Sequence, residues 1–189
     1  MAPCERIETA RLLLRPPSEA DMPAFLAMHA DPEVMAYFAQ TFDALETRDF
    51  VDRMLAHRAR HGFGMWTVAR QSDGEAVGMV GLLVPTFQAR FTPCVEISWR
   101  LARAHWGKGY ALEAAAATLA FGFDELGLDA IVAFTVPANQ RSWRLMEQLW
   151  MRRDPKDDFD HPNLPAGHPL RRHVLYRRSA AAWRQRAPG

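Results

Sequence analysis

The sequence predicts an α/β domain in which helices pack on a mixed β-sheet. Two hydrophobic patterns lead to this fold class. Segments 65–70 and 75–84 are apolar strands joined by Ser72-Asp73-Gly74, so they predict an antiparallel hairpin. Segment 95–136 alternates strand, helix and strand, and such a unit requires a right-handed crossover with its two strands parallel. We therefore expect a ligand site at the carboxyl ends of the parallel pair.

Length and composition indicate one folded domain over residues 1–189. Of these residues, 49% are hydrophobic and 24% are charged, which is ordinary for a globular protein. Twenty-three Lys and Arg against 22 Asp and Glu leave a net charge of +1, so no global field attracts nucleic acid or an anionic membrane. The charge therefore argues against general nucleic-acid binding and against a protein that merely binds the ribosome.

Three observations predict a cytoplasmic protein without a membrane partner. The longest apolar stretches, such as 77–85, are far shorter than a membrane span. Glu5 and Glu8 precede only three consecutive leucines, so the start of the chain lacks the apolar core of a secretory signal. The two cysteines, Cys4 and Cys94, are too few for a disulfide framework, which suits a reducing compartment.

The first third of the chain predicts a strand followed by two helices. Residues 7–15 contain three consecutive leucines and are followed by two prolines, which predicts a first strand. Segment 18–29 has a polar start that is suited to capping a short helix. A turn is expected over 31–38, and an apolar stripe over 42–62 predicts the second helix.

The rest of the chain predicts strands and helices in alternation. Segment 95–101 alternates apolar and polar residues, as a half-buried strand does. The alanine-rich segment 109–123 has one apolar face and predicts a helix that stops near Gly127. Segment 130–136 predicts a buried strand, and a helix is expected from Asn139 to about residue 150.

A long loop is expected before the last elements of the chain. Residues 154–170 contain four prolines, which excludes a regular helix or a central strand. Loops of this length are often functional, and the acidic stretch 157–163 is suited to holding an ammonium group or, more simply, to facing water. A strand over 173–178 and a short helix over 180–186 complete the chain.

The segment with the clearest chemical meaning is the glycine turn between the strand at 95–101 and the alanine-rich helix. Gly107 and Gly109 permit a tight turn with backbone amides unobstructed by side chains. The amino end of a helix adds about half a positive charge, so a phosphate or pyrophosphate fits there. A simple turn into a helix is the other interpretation. The spacing matches neither a Walker loop nor a dinucleotide fingerprint.

Here the chain resembles the GNAT superfamily of acyl-CoA-dependent N-acetyltransferases. The family's pyrophosphate loop has the pattern Q/R-x-x-G-x-G/A, and residues 106–111, WGKGYA, fit it except that Trp106 replaces Gln or Arg. The segments ETARLLLRPPSEAD, DPEVMAYF, VEISWRLARAHWGKGYALEA and PANQRSWRLMEQLWMRRD are similar to its Rim-type branch, which includes ribosomal-protein-alanine N-acetyltransferases. The resemblance implies a mostly antiparallel sheet with a central parallel strand pair, flanked by helices.

The resemblance also implies an acetyl-CoA site. In enzymes of this branch, the asparagine of an N-x-x-S motif contacts the pantetheine arm and the serine lies near the CoA sulfur as a proton donor. Asn139 and Ser142 match that motif, although a plain helix cap explains both residues equally well. The residues expected to bind the cofactor are Trp99, Leu101, Trp106, Gly107, Lys108, Gly109, Tyr110, Ala111, Asn139 and Arg144.

Glu96 is our candidate for the general base. An amine is mostly an ammonium ion at neutral pH and needs a base before it attacks a thioester. Alternation places Glu96 and Ser98 opposite the apolar face of their strand, so both are suited to face one cleft. A solvated glutamate is the other interpretation. Cys94 has no His or Asn partner nearby in the sequence, which disfavours a cysteine nucleophile.

These residues predict an N-acetyltransferase without a metal. The histidines around the proline-rich loop match no metal-site spacing. The expected reaction is direct attack by a primary amine on acetyl-CoA, with a small-molecule amine or a protein N-terminus as acceptor and a monomer or homodimer as the enzyme. A non-catalytic acyl-CoA-binding sensor or partner-binding module is the alternative.

Overall fold

The computed structural model describes residues 6–185, which group into two compact units. The first unit contains the residues up to Leu83 together with Ser98–Thr118, and the second contains Val84–Ile97 and the residues from Leu119 onward. The chain passes between the units three times, after Leu83, after Ile97 and after Thr118. Cys4, Glu5 and residue 186 lie outside the described residues. A single domain over 1–189 stays a prediction.

The first unit begins with a hairpin where a single strand is expected from the sequence. β1 (Ile7–Glu8) and β2 (Leu12–Arg15) pair antiparallel. Between them the Thr9 N–H donates to the Leu12 carbonyl over 2.9 Å, and the Leu12 N–H donates to the Thr9 hydroxyl over 3.0 Å. The prediction of one strand over 7–15 is therefore wrong, because Thr9 turns the chain just before the three leucines.

Two helices follow, with boundaries that the polar residues explain. A 3₁₀ turn leads into α1 (Met22–Ala30), and α2 spans Ala44–His61. At the start of α2, Asp43 and Glu46 exchange hydrogen bonds of 2.8 Å between backbone N–H groups and side-chain carboxylates. Such a capping box satisfies amides that have no partner inside a helix. The α2 helix ends at Gly62, which has a φ of 77°.

The sheet of the first unit runs in the order β1-β2-β3-β4-β5. Its later strands are β3 (Met65–Arg70), β4 (Ala76–Leu83) and β5 (Glu96–Leu101), of which β3 and β4 form the predicted hairpin. The predicted alanine-rich helix is α3 (Tyr110–Ala120), which continues into one π-helical turn over Phe121–Glu125.

The second unit contains the start of β5 and the remaining elements. These are β6 (Ala130–Thr135), α4 (Gln140–Gln148), β7 (Arg152–Arg153), β8 (Phe159–Asp160), β9 (Arg172–Ser179) and α5 (Ala180–Arg184). β5 and β6 are parallel, whereas β9 is antiparallel to β6, β7 and β8. The long loop expected over 154–170 is thus interrupted by β8, a two-residue edge strand in which Phe159 lies opposite His173.

Each unit has its own hydrophobic cluster. In the first unit the cluster joins the α1 and α2 helices to the sheet through residues such as Phe25, Val51 and Met79. In the second unit the buried residues Val132, Phe159 and Leu175 pack with partly buried phenylalanines. Burying a large apolar side chain usually contributes about 1.5–3 kcal/mol, so these clusters stabilise the strands and helices that they join.

The predicted fold class is confirmed. The strands form an open, mostly antiparallel sheet with the parallel pair β5–β6, and helices flank it. Among residues 6–185, no helix is both long and apolar enough to cross a membrane.

Candidate active site

The glycine turn in the first unit has the geometry of an anion site. A 3₁₀ turn at Arg103–His105 ends β5, and then Gly107 and Gly109 adopt left-handed φ values of 74° and 80°. L-residues with a side chain rarely adopt this conformation. The chain is thereby turned directly into the first residue of α3, Tyr110, where several backbone amides have no acceptor inside the helix.

The turn fits the pyrophosphate of a cofactor such as acetyl-CoA. Gly107, Lys108 and Gly109 are exposed, and a Cβ atom at Gly107 would meet nothing within 4 Å. The α3 helix has 11 residues, long enough to present a helix dipole at this end. Exposed glycine amides at the amino end of a helix are the usual protein partners of phosphate oxygens.

The end of β5 is held by Trp106 rather than by a polar side chain. The indole Nε1–H of Trp106 donates to the Leu101 carbonyl over 2.9 Å, and the ring packs against the hydrophobic cluster of the first unit. Leu101 is buried, and Trp99 is partly buried on the same strand. Where the loop pattern has Gln or Arg, this chain therefore has an anchor for its own backbone.

Glu96 lies at the parallel pair of the second unit. It is opposite Val132 in the register of β5 and β6, and the Val132 N–H donates to the Val95 carbonyl over 2.9 Å. The residue is only partly exposed, and desolvation raises the pKa of Glu96 from an ordinary 4.5 to about 8. A carboxylate with such a pKa is well matched to accept a proton near neutral pH. The partial burial favours the general base over the alternative of a solvated glutamate, and the role of Glu96 stays a prediction.

Asn139 and Ser142 lie at the amino end of α4. The Asn139 Oδ1 accepts the Ser142 N–H over 3.3 Å, and the Asn139 Nδ2 donates to the Thr135 hydroxyl over 3.0 Å. Asn139 is thus the helix cap and is also tied to the end of β6. Ser142 is partly buried. Their contacts with the pantetheine arm and the sulfur stay predictions.

Comparison with known proteins identifies the family of this chain. The sequence model of the Acetyltransferase (GNAT) domain family matches residues 11–152, most of the chain. The chain belongs to the GNAT acetyltransferase family. It is an acetyl-CoA-dependent acetyltransferase, as the names of its relatives also indicate.

Two relatives and two solved structures illustrate the family likeness. The acetyltransferase is 33% identical to the uncharacterized protein YkkB of Bacillus subtilis over 77% of this chain and 84% of that one, and 32% identical to the uncharacterized N-acetyltransferase YnaD of Bacillus subtilis over 78% and 83%. A GNAT-family acetyltransferase structure from Bacillus anthracis is 29% identical, with a TM-score of 0.77 over 93% of this chain and 99% of that chain. The coenzyme A complex of RimL, a ribosomal L7/L12 alpha-N-protein acetyltransferase, is 17% identical with a TM-score of 0.76 over 94% and 99%, which shows a shared fold.

Arg144 and its neighbour Arg141 lie exposed on α4 of the acetyltransferase. The Arg144 Nη2 donates to the Gln140 side-chain oxygen over 3.1 Å, and its guanidinium lies 5.6 Å from the centre of the Trp143 ring. These contacts are local to the helix surface, so the side chain stays accessible to a phosphate group from solvent.

Cys94 is not activated as a nucleophile. Burial and the nearby Glu96 carboxylate raise the pKa of its thiol to about 11. Because the thiolate is the reactive form, the group is almost wholly unreactive at neutral pH. The thiol lines a cavity of about 380 Å³ in the second unit, together with residues such as Phe91, Val132 and Arg177.

The carboxylates of the acidic stretch in the proline-rich loop form ion pairs with arginines of the same unit. Asp158 pairs with Arg153, and Asp157 lies 3.5 Å from Arg177. Asp160 lies 3.6 Å from Arg171 and 3.4 Å from Arg172. Because each carboxylate already has a cation, these ion pairs disfavour this stretch as a subsite for an ammonium group.

The histidines beside this loop pack with aromatic rings. The His161 and His173 ring centres are 5.2 Å apart, and both rings contact Phe134 and Phe159. Desolvation lowers the pKa of each imidazole, which favours the neutral form of both rings. Among the described residues, no group of three or more His, Cys, Asp or Glu side chains is arranged to hold a metal ion.

A set of residues that no sequence pattern indicates contacts the glycine turn. Thr9, Arg11 and Glu113 form a hydrogen-bonded group beside Lys108 and Gly109. Arg11 and Glu113 are 102 positions apart. No spacing rule links such positions, and only the folded chain brings them together.

Proposed function

We propose that this protein is an N-acetyltransferase of the Rim-type branch, which transfers acetyl from acetyl-CoA to a primary amine by direct attack in a ternary complex. The observation that carries the proposal is the pair of left-handed glycines, Gly107 and Gly109, immediately before α3. Together with the family membership, this turn favours a CoA pyrophosphate over a simple entry into a helix.

The residues assigned to acetyl-CoA binding are those that the family resemblance indicates. The cofactor supplies an acetyl group activated as a thioester. The amides of residues 107–111 would hold the pyrophosphate, and Trp99, Leu101 and Trp106 would set the position of that turn. Asn139 would orient the pantetheine arm, and Arg144 would meet a phosphate group from the surface of α4.

Glu96 takes the proton of the attacking amine. Its pKa of about 8 leaves about one carboxylate in ten ionised at pH 7 and half ionised at pH 8. The ionised form accepts a proton directly or through one water molecule, which leaves the amine lone pair free to attack the carbonyl carbon. The same desolvation that raises the pKa makes this carboxylate a stronger base.

Ser142 assists departure of the thiolate. A thiolate is a poor product when the free thiol has a pKa near 8.5, so a hydroxyl proton given to sulfur lowers the barrier. The hydrogen bond of its own N–H to Asn139 fixes the position of Ser142 in the first turn of α4. Solvent then removes the extra proton from Glu96 and returns one to Ser142.

The acceptor is a small-molecule amine or a protein N-terminus. The likeness to RimL, named for acting on a ribosomal protein, supports the second class, and the Rim-type segments of the sequence support it as well. The acidic stretch at 157–160 pairs with arginines, so acceptor recognition is assigned elsewhere. We place the reaction in the cytoplasm, with a monomer or homodimer as the enzyme.

The test is an acetylation screen. The protein is incubated with acetyl-CoA and a panel of amines and N-terminal peptides, while release of CoA thiol is followed and products are weighed by mass spectrometry. We expect thiol release that depends on one amine class. A blank without acetyl-CoA corrects for the thiols of the protein's two cysteines, and a Cys94→Ser variant should be equally active. Binding of acetyl-CoA without any acetylated product would favour the non-catalytic acyl-CoA-binding module instead.

A further inference from the structure

We propose that Arg11, in the turn between β1 and β2, positions the phosphate loop at residues 107–109 and adds its positive charge to the cofactor site. The loop pattern has Gln or Arg at the position that Trp106 occupies in this protein. Arg11 supplies the missing polar group from a distant part of the chain. The inference rests on the proposed function, because it assumes that the CoA pyrophosphate lies at this loop.

The backbone of Arg11 is held firmly in place. Its N–H donates to the Glu113 Oε1 over 2.8 Å, and its carbonyl accepts the Gln71 N–H over 2.9 Å. The Gln71 side chain also donates to the Thr9 carbonyl over 2.8 Å. The turn is thus tied both to the sheet and to α3, so its side chain starts from a fixed point.

The guanidinium contacts three consecutive positions of the loop and helix. Its Nη1 donates to the Lys108 carbonyl over 3.0 Å. Its Nη2 lies 3.2 Å from the point where a Cβ atom of Gly109 would be, and its Cζ is 4.8 Å from the centre of the Tyr110 ring. Binding the Lys108 carbonyl on one side of the turn sets the orientation of the peptide whose N–H belongs to Gly109.

Of the two charged groups of this ion pair, the guanidinium is the more exposed to solvent. Glu113 is bound by the Thr9 hydroxyl and the Arg11 Nε over 2.6 Å each. Burial opposes its ionisation, but these hydrogen bonds outweigh it and lower the pKa of Glu113. The Glu113 side chain is only 18% exposed, whereas that of Arg11 is 49% exposed, so an arriving phosphate meets the cation rather than the carboxylate.

The first experiment measures CoA binding to the ligand-free protein by titration calorimetry. Arg11→Gln should weaken CoA binding by about ten- to a hundredfold, the usual effect of removing a hydrogen bond to a charged group. It should also make the affinity less dependent on salt, because one exposed charge is lost. Arg11→Lys keeps the charge but loses the planar fork, and should lie between the two.

The matched control is Arg48→Gln. Arg48, on α2, is 53% exposed and pairs with Glu19 over 3.0 Å. The control therefore removes a similarly exposed, paired arginine elsewhere in the same unit. Its affinity for CoA should equal that of the wild type.

The second experiment uses S-acetylpantetheine, which has no phosphate. The KM for this thioester should be unchanged in Arg11→Gln, because the residue acts only on the phosphates. If Arg11→Gln weakens CoA binding and raises the KM for S-acetylpantetheine by the same factor, its role is merely structural, and if the CoA affinity is unchanged, Arg11 has no role at the loop. Either result overturns the inference. If Arg11→Gln does not fold, Arg11→Lys decides by the same comparison. A wild-type protein that binds no CoA would refute the proposed function as well.

Discussion

The raised pKa of Glu96 makes a prediction in which activity and stability change in opposite directions. The perturbation is Glu96→Gln, which keeps the shape of the side chain but removes its ionisation. Since general-base catalysis contributes about 10² to 10⁴ in rate, kcat should fall by that factor while the affinity for CoA stays the same. In the wild type, kcat/KM at saturating acetyl-CoA should fall about tenfold per pH unit below about 8.

The stability effect follows from the same pKa. The folded state holds the Glu96 proton up to about pH 8, whereas the unfolded chain releases it near 4.5. Stability from this group is therefore complete below pH 4.5 and is lost as the pH rises to about 8. At 1.36 kcal/mol per pH unit, the loss has an upper limit of about 5 kcal/mol. The Gln variant escapes this loss, so it should be more stable than the wild type at pH 8.5 and much closer to it at pH 4.5.

Urea unfolding at pH 4.5 and pH 8.5 measures this difference, and an acetyl transfer assay between pH 6 and 9 measures the rate. Glu125→Gln is the control, since Glu125 is exposed in the π-helical turn. It should change neither quantity. A Glu96 variant whose stability differs from the wild type by the same amount at both pH values would show that the carboxyl is not desolvated. An unchanged rate profile would assign the base to another group.

Three further variants test the turn, the helix start and the first unit. Gly109→Val should abolish CoA binding in calorimetry, because Gly109 has a φ of 80° and the new side chain would meet Arg11. The control is Gly62→Val, at a similar φ of 77° but with open space around it, and it should keep full affinity. Ser142→Ala should slow single-turnover acetyl transfer by about 10² with intact CoA binding, and a wild-type rate would remove its role as proton donor. Asp21→Asn should cost about 3–5 kcal/mol in urea unfolding, because Asp21 is 2% exposed and bound by Arg15 over 2.6 Å; a loss below 1 kcal/mol would contradict this.

Much of the fold was predictable because it depends on local patterns. Alternation along 95–101 and the apolar faces of 42–62 and 109–123 reflect burial on one side of a strand or helix. The spacing of apolar residues in the sequence follows the period of the element, so it shows which side is buried. The first strand was predicted wrongly, since Thr9 turns the chain through hydrogen bonds to Leu12 that no periodicity reveals.

The sequence by itself determined the fold class, the glycine turn and the family resemblance. These depend on residues close together in the chain: Gly107 and Gly109 supply the left-handed conformations of the turn wherever the rest of the protein lies. Asn139, three residues before Ser142, likewise caps its helix through a local hydrogen bond.

Only the tertiary structure decided the electrostatics of the candidate site. Glu96 has an ordinary carboxyl group in the sequence, and its pKa rises because other parts of the chain remove water from it. Arg11 is an unremarked residue of a short turn until folding brings it to Lys108, 97 positions away, and to Glu113. Desolvation and long-range hydrogen bonds depend on distance in space, and distance in space is a property of the folded chain alone.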